Sequence, residues 1–192
     1  MNYLFNEGIA IVLFGYPVWK WLLAILITSL FYLLTTFIKN FAEKKLHTFS
    51  KKTNTNIDDY LYEVLSSVSK IFIFTSSLYV GIIFVGASPT IEGAISNIFL
   101  LVFFWQIAKW AILISKILFA KYKKDKTEQD DMHAVTAING LTALSKFIIW
   151  VIFLMLALDN LGVDITALVA GLGIGGLAIA LAAQSILGDL FA

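Results

Sequence analysis

The sequence contains no cysteine and no arginine. Without cysteine, neither a disulfide framework nor a thiolate metal site can form. Without arginine, every basic side chain is a lysine, and the planar bidentate recognition of phosphate or carboxylate that arginine does best is missing. Charge as a whole is scarce. Only 14% of the 192 residues are charged, against about 25% in a soluble domain. The net charge of +1 gives no reason to expect nucleic acid as a partner. The two histidines, His47 and His133, stand far apart in stretches that read as polar loops, where solvation accounts for them better than ligation. No metal or other cofactor is expected. A cleavable signal is not indicated either. The start has no basic run, Glu7 stands within Met1 to Tyr16, and no small-residue cleavage site follows Trp19 to Ile38.

What is abundant is apolar surface. Hydrophobic residues make up 59% of the chain, too much to hide in one small core, so the excess is expected to face lipid. A bilayer core of about 30 Å needs about 20 apolar residues in a crossing helix. Five stretches come close: Pro17 to Ile38, Val64 to Val85, Ala94 to Phe119, Leu141 to Leu158, and Ile165 towards Ala192. Pro17 stands where a helix start tolerates proline, and Trp19 and Trp21 stand at interface depth. The expected fold is therefore an all-α membrane protein of about five transmembrane helices.

The lysines give that fold an orientation. Lys39 to Asp59 holds Lys39, Lys44, Lys45, Lys51 and Lys52. Lys121 to Asn139 holds Lys121, Lys123, Lys124 and Lys126, followed by Glu128, Asp130 and Asp131. The connections Gly86 to Gly93 and Asp159 to Asp164 hold no lysine. Five spans put the lysine-rich connections on one side, which the positive-inside rule makes cytoplasmic. The N-terminus is then outside and the C-terminus cytoplasmic, in the cell inner membrane. Lys70, Lys116 and Lys146 lie near the lysine-rich side and can snorkel to it; Lys20 is on the other. Lys109 lies deeper. It is read as a snorkelling lysine, with a functional charge within the membrane as the alternative.

The last stretch departs from ordinary helix composition. Gly171, Gly173, Gly175 and Gly176 crowd into little more than one turn, although glycine costs roughly 1 kcal/mol against alanine in a soluble helix. In a membrane, small residues let helix backbones touch. At about 100° per residue, one stripe holds Ala170, Gly173, Ile174, Leu177, Leu181, Gln184 and Gly188. One flank holds Gly171, Gly175, Ala178 and Ala182; the other holds Gly176, Ala180 and Ala183. The back holds Leu168, Leu172, Ile179 and Ile186. Two small flanks suit a helix wedged between two neighbours in a cyclic homo-oligomer, with the stripe facing the axis. A ring of Leu177 and Leu181 there would stop ions by dewetting. Tight packing within a transmembrane bundle explains the same flanks, and the pattern leaves both readings open.

The run from Gly173 to Gln184, followed by Leu187 to Ala192, resembles the pore helix of the small-conductance mechanosensitive channel (MscS-like) family. Thr55 to Leu61 also resembles a stretch upstream in larger members. The resemblance implies that Leu177 and Leu181 are the gate, that Ala178 and Ala180 are knob and groove, and that Gln184 ends the straight pore-lining part. On the helical wheel, Ala170, Gly173, Ile174, Gln184 and Gly188 are then the expected pore lining, and Gly171, Gly175, Gly176, Ala178, Ala180, Ala182 and Ala183 the expected helix packing. Ser185 stands where some members have a kink glycine, so the hinge there would be softer, shifted to Gly188, or absent. Residues 1–164 become the membrane-sensing helices and 165–192 the pore helix, with the family's cytoplasmic domain absent from this chain.

The function these readings imply is a tension-gated ion channel, weakly selective and closed by leucines. It would be a homoheptamer in contact with membrane lipids that passes ions and small solutes on osmotic downshock. A secondary transporter and a non-conducting membrane scaffold subunit are the alternatives. The transporter lacks paired acidic residues at membrane depth, where Gln106 and Lys109 are the few polar candidates. An enzyme is not expected: no nucleophile and base pair up, and the glycine run lacks the strand and downstream acid of a dinucleotide site.

Overall fold

The structure, a computed structural model, describes residues 12–13, 16–50, 57–128 and 131–191. Two short strands, β1 (Val12–Leu13) and β2 (Tyr16–Pro17), pair antiparallel ahead of six helices. These are α1 (Val18–Ser50), α2 (Ile57–Ser66), α3 (Lys70–Val85), α4 (Pro89–Glu128), α5 (Met132–Asn160) and α6 (Thr166–Phe191). The protein is an all-α membrane protein. Among the described residues, four helices are long and apolar enough to cross a bilayer, or five spans result when α2 and α3 count as one broken span.

Pro17 directly precedes α1, and Pro89 opens α4. Both occupy the end of a helix whose free N–H groups make proline harmless. Along α1, Leu22, Leu26, Leu30, Leu33 and Phe37 form an exposed stripe at helical spacing, the surface that faces lipid. The opposite face of α1 carries Ala24, which is buried against α3. There the backbones approach closely at Gly81. A Cβ built on it would meet the Ala24 carbonyl oxygen at 2.9 Å and the Thr28 hydroxyl closer still. Ser77, one turn earlier, is fully buried and donates back to the Ile73 carbonyl. Small residues four apart are what a close helix crossing in lipid requires. Between α3 and α4 the seam is aromatic. Phe72 lies against Phe99, Phe103 and Trp110, and Tyr79 stacks on Phe99 at 4.8 Å. The last helix seam of this body joins α4 to α5.

Three expectations need correction. The second span is not one straight helix. It breaks at Ser67–Ser69, and the halves are bent by 62°. The cause is local: Ser66 and Ser67 hydroxyls donate to the carbonyls of Glu63 and Val64, while Ser69 caps α3 by accepting from the Phe72 N–H at 3.1 Å. Serine competes with the helix ladder in this way and favours helix ends. The lysine-rich connections are also not loops over most of their length. The 33 residues of α1 and the 40 of α4 measure roughly 50 and 60 Å, so both overrun the hydrocarbon. Lysine is a good helix former, and the helices run on through Lys44 and Lys123. His47 and His133 are accordingly helical. The His47 ring lies 5.5 Å from the Tyr62 ring, and His133 is exposed in the first turn of α5. Of the upstream stretch that resembles larger members, Thr55 and Asn56 lie outside the described residues, and Ile57 onward forms α2.

Candidate pore helix

A tight turn launches α6. Helix α5 ends with Leu161 at its cap, and Gly162 follows at φ +80°. The Gly162 N–H donates to the Asp159 carbonyl at 2.9 Å, and the Val163 N–H reaches back to Leu158 at 3.0 Å. Those two bonds and the positive φ define a Schellman ending, which favours glycine. Asp164 then accepts from the Thr166 N–H at 2.9 Å, satisfying one of the free donors at the start of α6. Thr166, through its side chain first and its backbone second, holds the Asp164 carboxyl below its usual range. The lysine-free connection Asp159 to Asp164 is thus an elbow with its own hydrogen bonds.

Beyond the elbow, the helix is continuous from Thr166 to Phe191. Every described side-chain position from Thr166 to Gln184 is exposed in the protomer. Leu177 is 65% exposed and Leu181 58%, while Ile179 on the back is 73% exposed. The protomer therefore covers no face of α6, neither the stripe of Ala170, Gly173, Ile174, Leu177, Leu181 and Gln184 nor the bulky back. The flanks are equally open. A Cβ built on Gly171, Gly173, Gly175 or Gly176 meets nothing within 4 Å. Ala178, Ala180, Ala182 and Ala183 are exposed beside them. The helix backbone passes through Ser185 and Gly188, whose side chains lie outside the described residues. The structure brings none of the sequence-predicted pore residues together. It lays them out in register along one helix.

Sequence reasoning missed the side chains that organise the rest of the membrane part. Gln106, Lys109 and Trp110 share one face of α4, at i, i+3 and i+4 spacing, and all three bond to the break between α2 and α3. Gln106 is 1% exposed. Its Nε2 donates to the Ser67 carbonyl at 3.3 Å, and its Oε1 accepts from the Ser69 N–H at 3.0 Å. Lys109 Nζ donates to the same Ser67 carbonyl at 2.9 Å, and Trp110 Nε1 donates to Val64 at 3.2 Å. Lys109 is thus bonded to the break between two neighbouring helices of the protomer, a partner that neither the snorkelling reading nor its alternative of a functional charge had named. The available signal was the pair Gln106 and Lys109, polar on an apolar helix, together with the serines at Ser66, Ser67 and Ser69.

Comparison with known proteins points the same way as the layout of α6. Residues 143–184 match the family described as mechanosensitive ion channel, transmembrane helices 2/3, which corresponds to most of α5 and α6. The chain is 30% identical to the large-conductance mechanosensitive channel MscMJLR of Methanocaldococcus jannaschii, over 97% of this chain and 52% of that protein. It is 28% identical to the small-conductance mechanosensitive channel MscMJ of the same organism, over 94% and 52%. An uncharacterised MscS family protein of Helicobacter pylori is 42% identical over 29% of this chain and 9% of its own. The chain spans about half the length of the first two relatives. No solved structure matches. The family is one of ion channels and not of enzymes. With its two last helices in the family's match and its whole membrane part alignable to two mechanosensitive channels, this chain belongs, in its transmembrane part, to the small-conductance mechanosensitive channel (MscS-like) family.

Proposed function

We propose that the chain forms the membrane part of a tension-gated, weakly selective channel in the cell inner membrane, with α6 lining the pore in a ring of about seven identical subunits. The observation that carries this reading is α6 itself: an apolar helix with small residues on two flanks, exposed along its described length in the protomer. An apolar helix in lipid needs no cover, but two glycine–alanine flanks have no use against lipid tails. They are suited to two neighbouring helices at close approach, which a heterologous ring supplies. Leu177 and Leu181 then face the axis and close it by dewetting. The stripe carries no ring of charge, so selectivity is weak.

Tension enters through the helices before the elbow. Residues 1–164 present the lipid-facing surface, and 165–192 the pore. Stretching the bilayer favours the state of larger in-plane area, and the equilibrium moves only by the difference between states. The N-terminus is outside and the lysine-bearing helix ends are cytoplasmic. Release of ions and small solutes on osmotic downshock is the physiological role this implies. The test is recording from patches of the full-length protein in liposomes under suction. Currents that appear with tension support the proposal; a silent patch with correctly inserted protein overturns it.

A further inference from the structure

The break between α2 and α3 lies against the middle of α4. Lys109 stands roughly 16 Å from the end of the apolar part of that helix. Backbone groups released from a helix within an apolar span need partners inside the protein. The break releases the carbonyls at the end of α2 and the first N–H groups of α3. Gln106 answers one of each, with both ends of its amide. Lys109 places its charge at the C-terminal end of α2, the negative end of that helix. Trp110 binds the carbonyl one turn earlier and packs its ring edge-on against Phe72 of α3. Thus a single face of α4 grips both halves of the bent span. The grip is polar and directional, whereas the neighbouring α3–α4 contacts are aromatic faces that can slide.

We propose that Gln106, Lys109 and Trp110 are positioning residues for gating. They clasp the bent span to α4, so that displacement of α1–α3 by the bilayer is carried to α4, across the α4–α5 seam and through the Gly162 elbow to α6. This inference rests on the channel reading. None of the three residues lies on the pore helix, and all of them precede the segment that matches the family. The clasp would act through the tension dependence of opening and leave conduction alone. The tension slope reports the area difference between closed and open states. With the clasp cut, only the helices still joined to the gate contribute to that difference, and the slope falls roughly by half.

The experiment uses the full-length channel in liposomes, comparing wild type with Gln106→Leu, Lys109→Met, Lys109→Arg and Trp110→Phe. Two quantities are read. The first is the tension slope together with single-channel conductance. The second is the distance between spin labels at Leu61 on α2 and Phe74 on α3, both exposed, which needs no channel activity. Lys109→Met and Gln106→Leu are expected to broaden the label distance and flatten the slope at unchanged conductance. Lys109→Arg, which keeps a cationic donor, should restore both. Trp110→Phe loses only the indole bond and keeps the packing, so it should give the smaller change of the same sign. The inference is overturned if the label distance is unmoved in both Lys109→Met and Gln106→Leu, or if it broadens while the slope stays at the wild-type value. Wild-type protein without tension-dependent current would instead sink the channel reading itself.

Discussion

Gly81 in α3 and Gly175 in α6 are both glycines inside apolar helices, yet their surroundings are opposite. A side chain added at Gly81 would run into the Ala24 carbonyl at 2.9 Å and the Thr28 side chain, whereas one added at Gly175 meets nothing within 4 Å. The small residues of α3 are used within the protomer, where they let α1 and α3 touch. At Gly171, Gly173, Gly175 and Gly176 of α6 no part of the protomer comes so close. Glycine still lowers helix propensity there, by roughly 1 kcal/mol each against alanine. In the proposed ring, the flank of the next subunit offsets that cost. The same contrast separates the polar groups. On α4, buried Gln106 and half-buried Lys109 bond to the broken span, while the α6 stripe through Leu177 and Leu181 is apolar until Gln184.

The contrast is tested most severely by filling an α6 flank. Gly176→Leu is expected to abolish the ring while leaving the protomer folded, because nothing in the protomer occupies that space. Mass measurement of the detergent-solubilised complex should show monomers or small oligomers, with helical content unchanged by circular dichroism. A variant that unfolds instead would mean that α6 packs within its own subunit, and the comparison would break. Next in size is the proposed gate. If Leu181 faces the axis of the ring, Leu181→Ser hydrates the constriction, so current should leak without tension. A tight closed state in that variant would show that Leu181 does not face the axis.

Gly81→Ala probes the other side of the comparison. The added methyl must displace backbone and the Thr28 side chain, and overpacking of this kind costs about 1–3 kcal/mol. Thermal unfolding of the full-length protein in detergent should shift downward, whereas Gly175→Ala displaces nothing in the protomer and should hold or raise the midpoint, since alanine favours helix. Equal shifts for the two substitutions would erase the distinction between them.

How much of this was legible in the sequence depends on range. The spans were legible because apolar length is a local property, and the α6 flanks because they follow from helical spacing alone. Lys109 was singled out on its apolar span but not in its company, since its partner carbonyl at Ser67 is 42 residues away in the chain. The 62° bend was missed because Ser66 to Ser69 sit in an apolar run whose mean hydropathy hides them. Their hydroxyls act on neighbouring carbonyls, which no periodicity reports. The helical lysine segments were missed for the opposite reason: polarity was equated with loop, although lysine sustains helix well. The close approach at Gly81 is a pair property of α1 and α3, and a lone glycine in one of them does not reveal it.

The smallest expected effect lies at the joint between the two regions, and its direction follows from the sign of one shift. Hydrogen bonds from Thr166 hold the Asp164 carboxyl below its usual range. A group whose pKa is depressed on folding contributes stability above its unfolded value and loses that contribution as pH falls through the folded one. The cap on α6 is therefore complete at neutral pH, and it fails only on acidification below the ordinary carboxylate range. Asp164→Asn keeps an oxygen acceptor for the Thr166 N–H but removes the charge and the titration. Hydrogen exchange in the first turn of α6 should be slower in the wild type than in Asp164→Asn at neutral pH, and the two should converge as acid protonates the Asp164 carboxyl. Parallel behaviour of wild type and variant through the acid range would show that the Asp164 carboxylate contributes nothing to the start of the pore helix, and that the Schellman turn at Gly162 alone sets the path from α5 into α6.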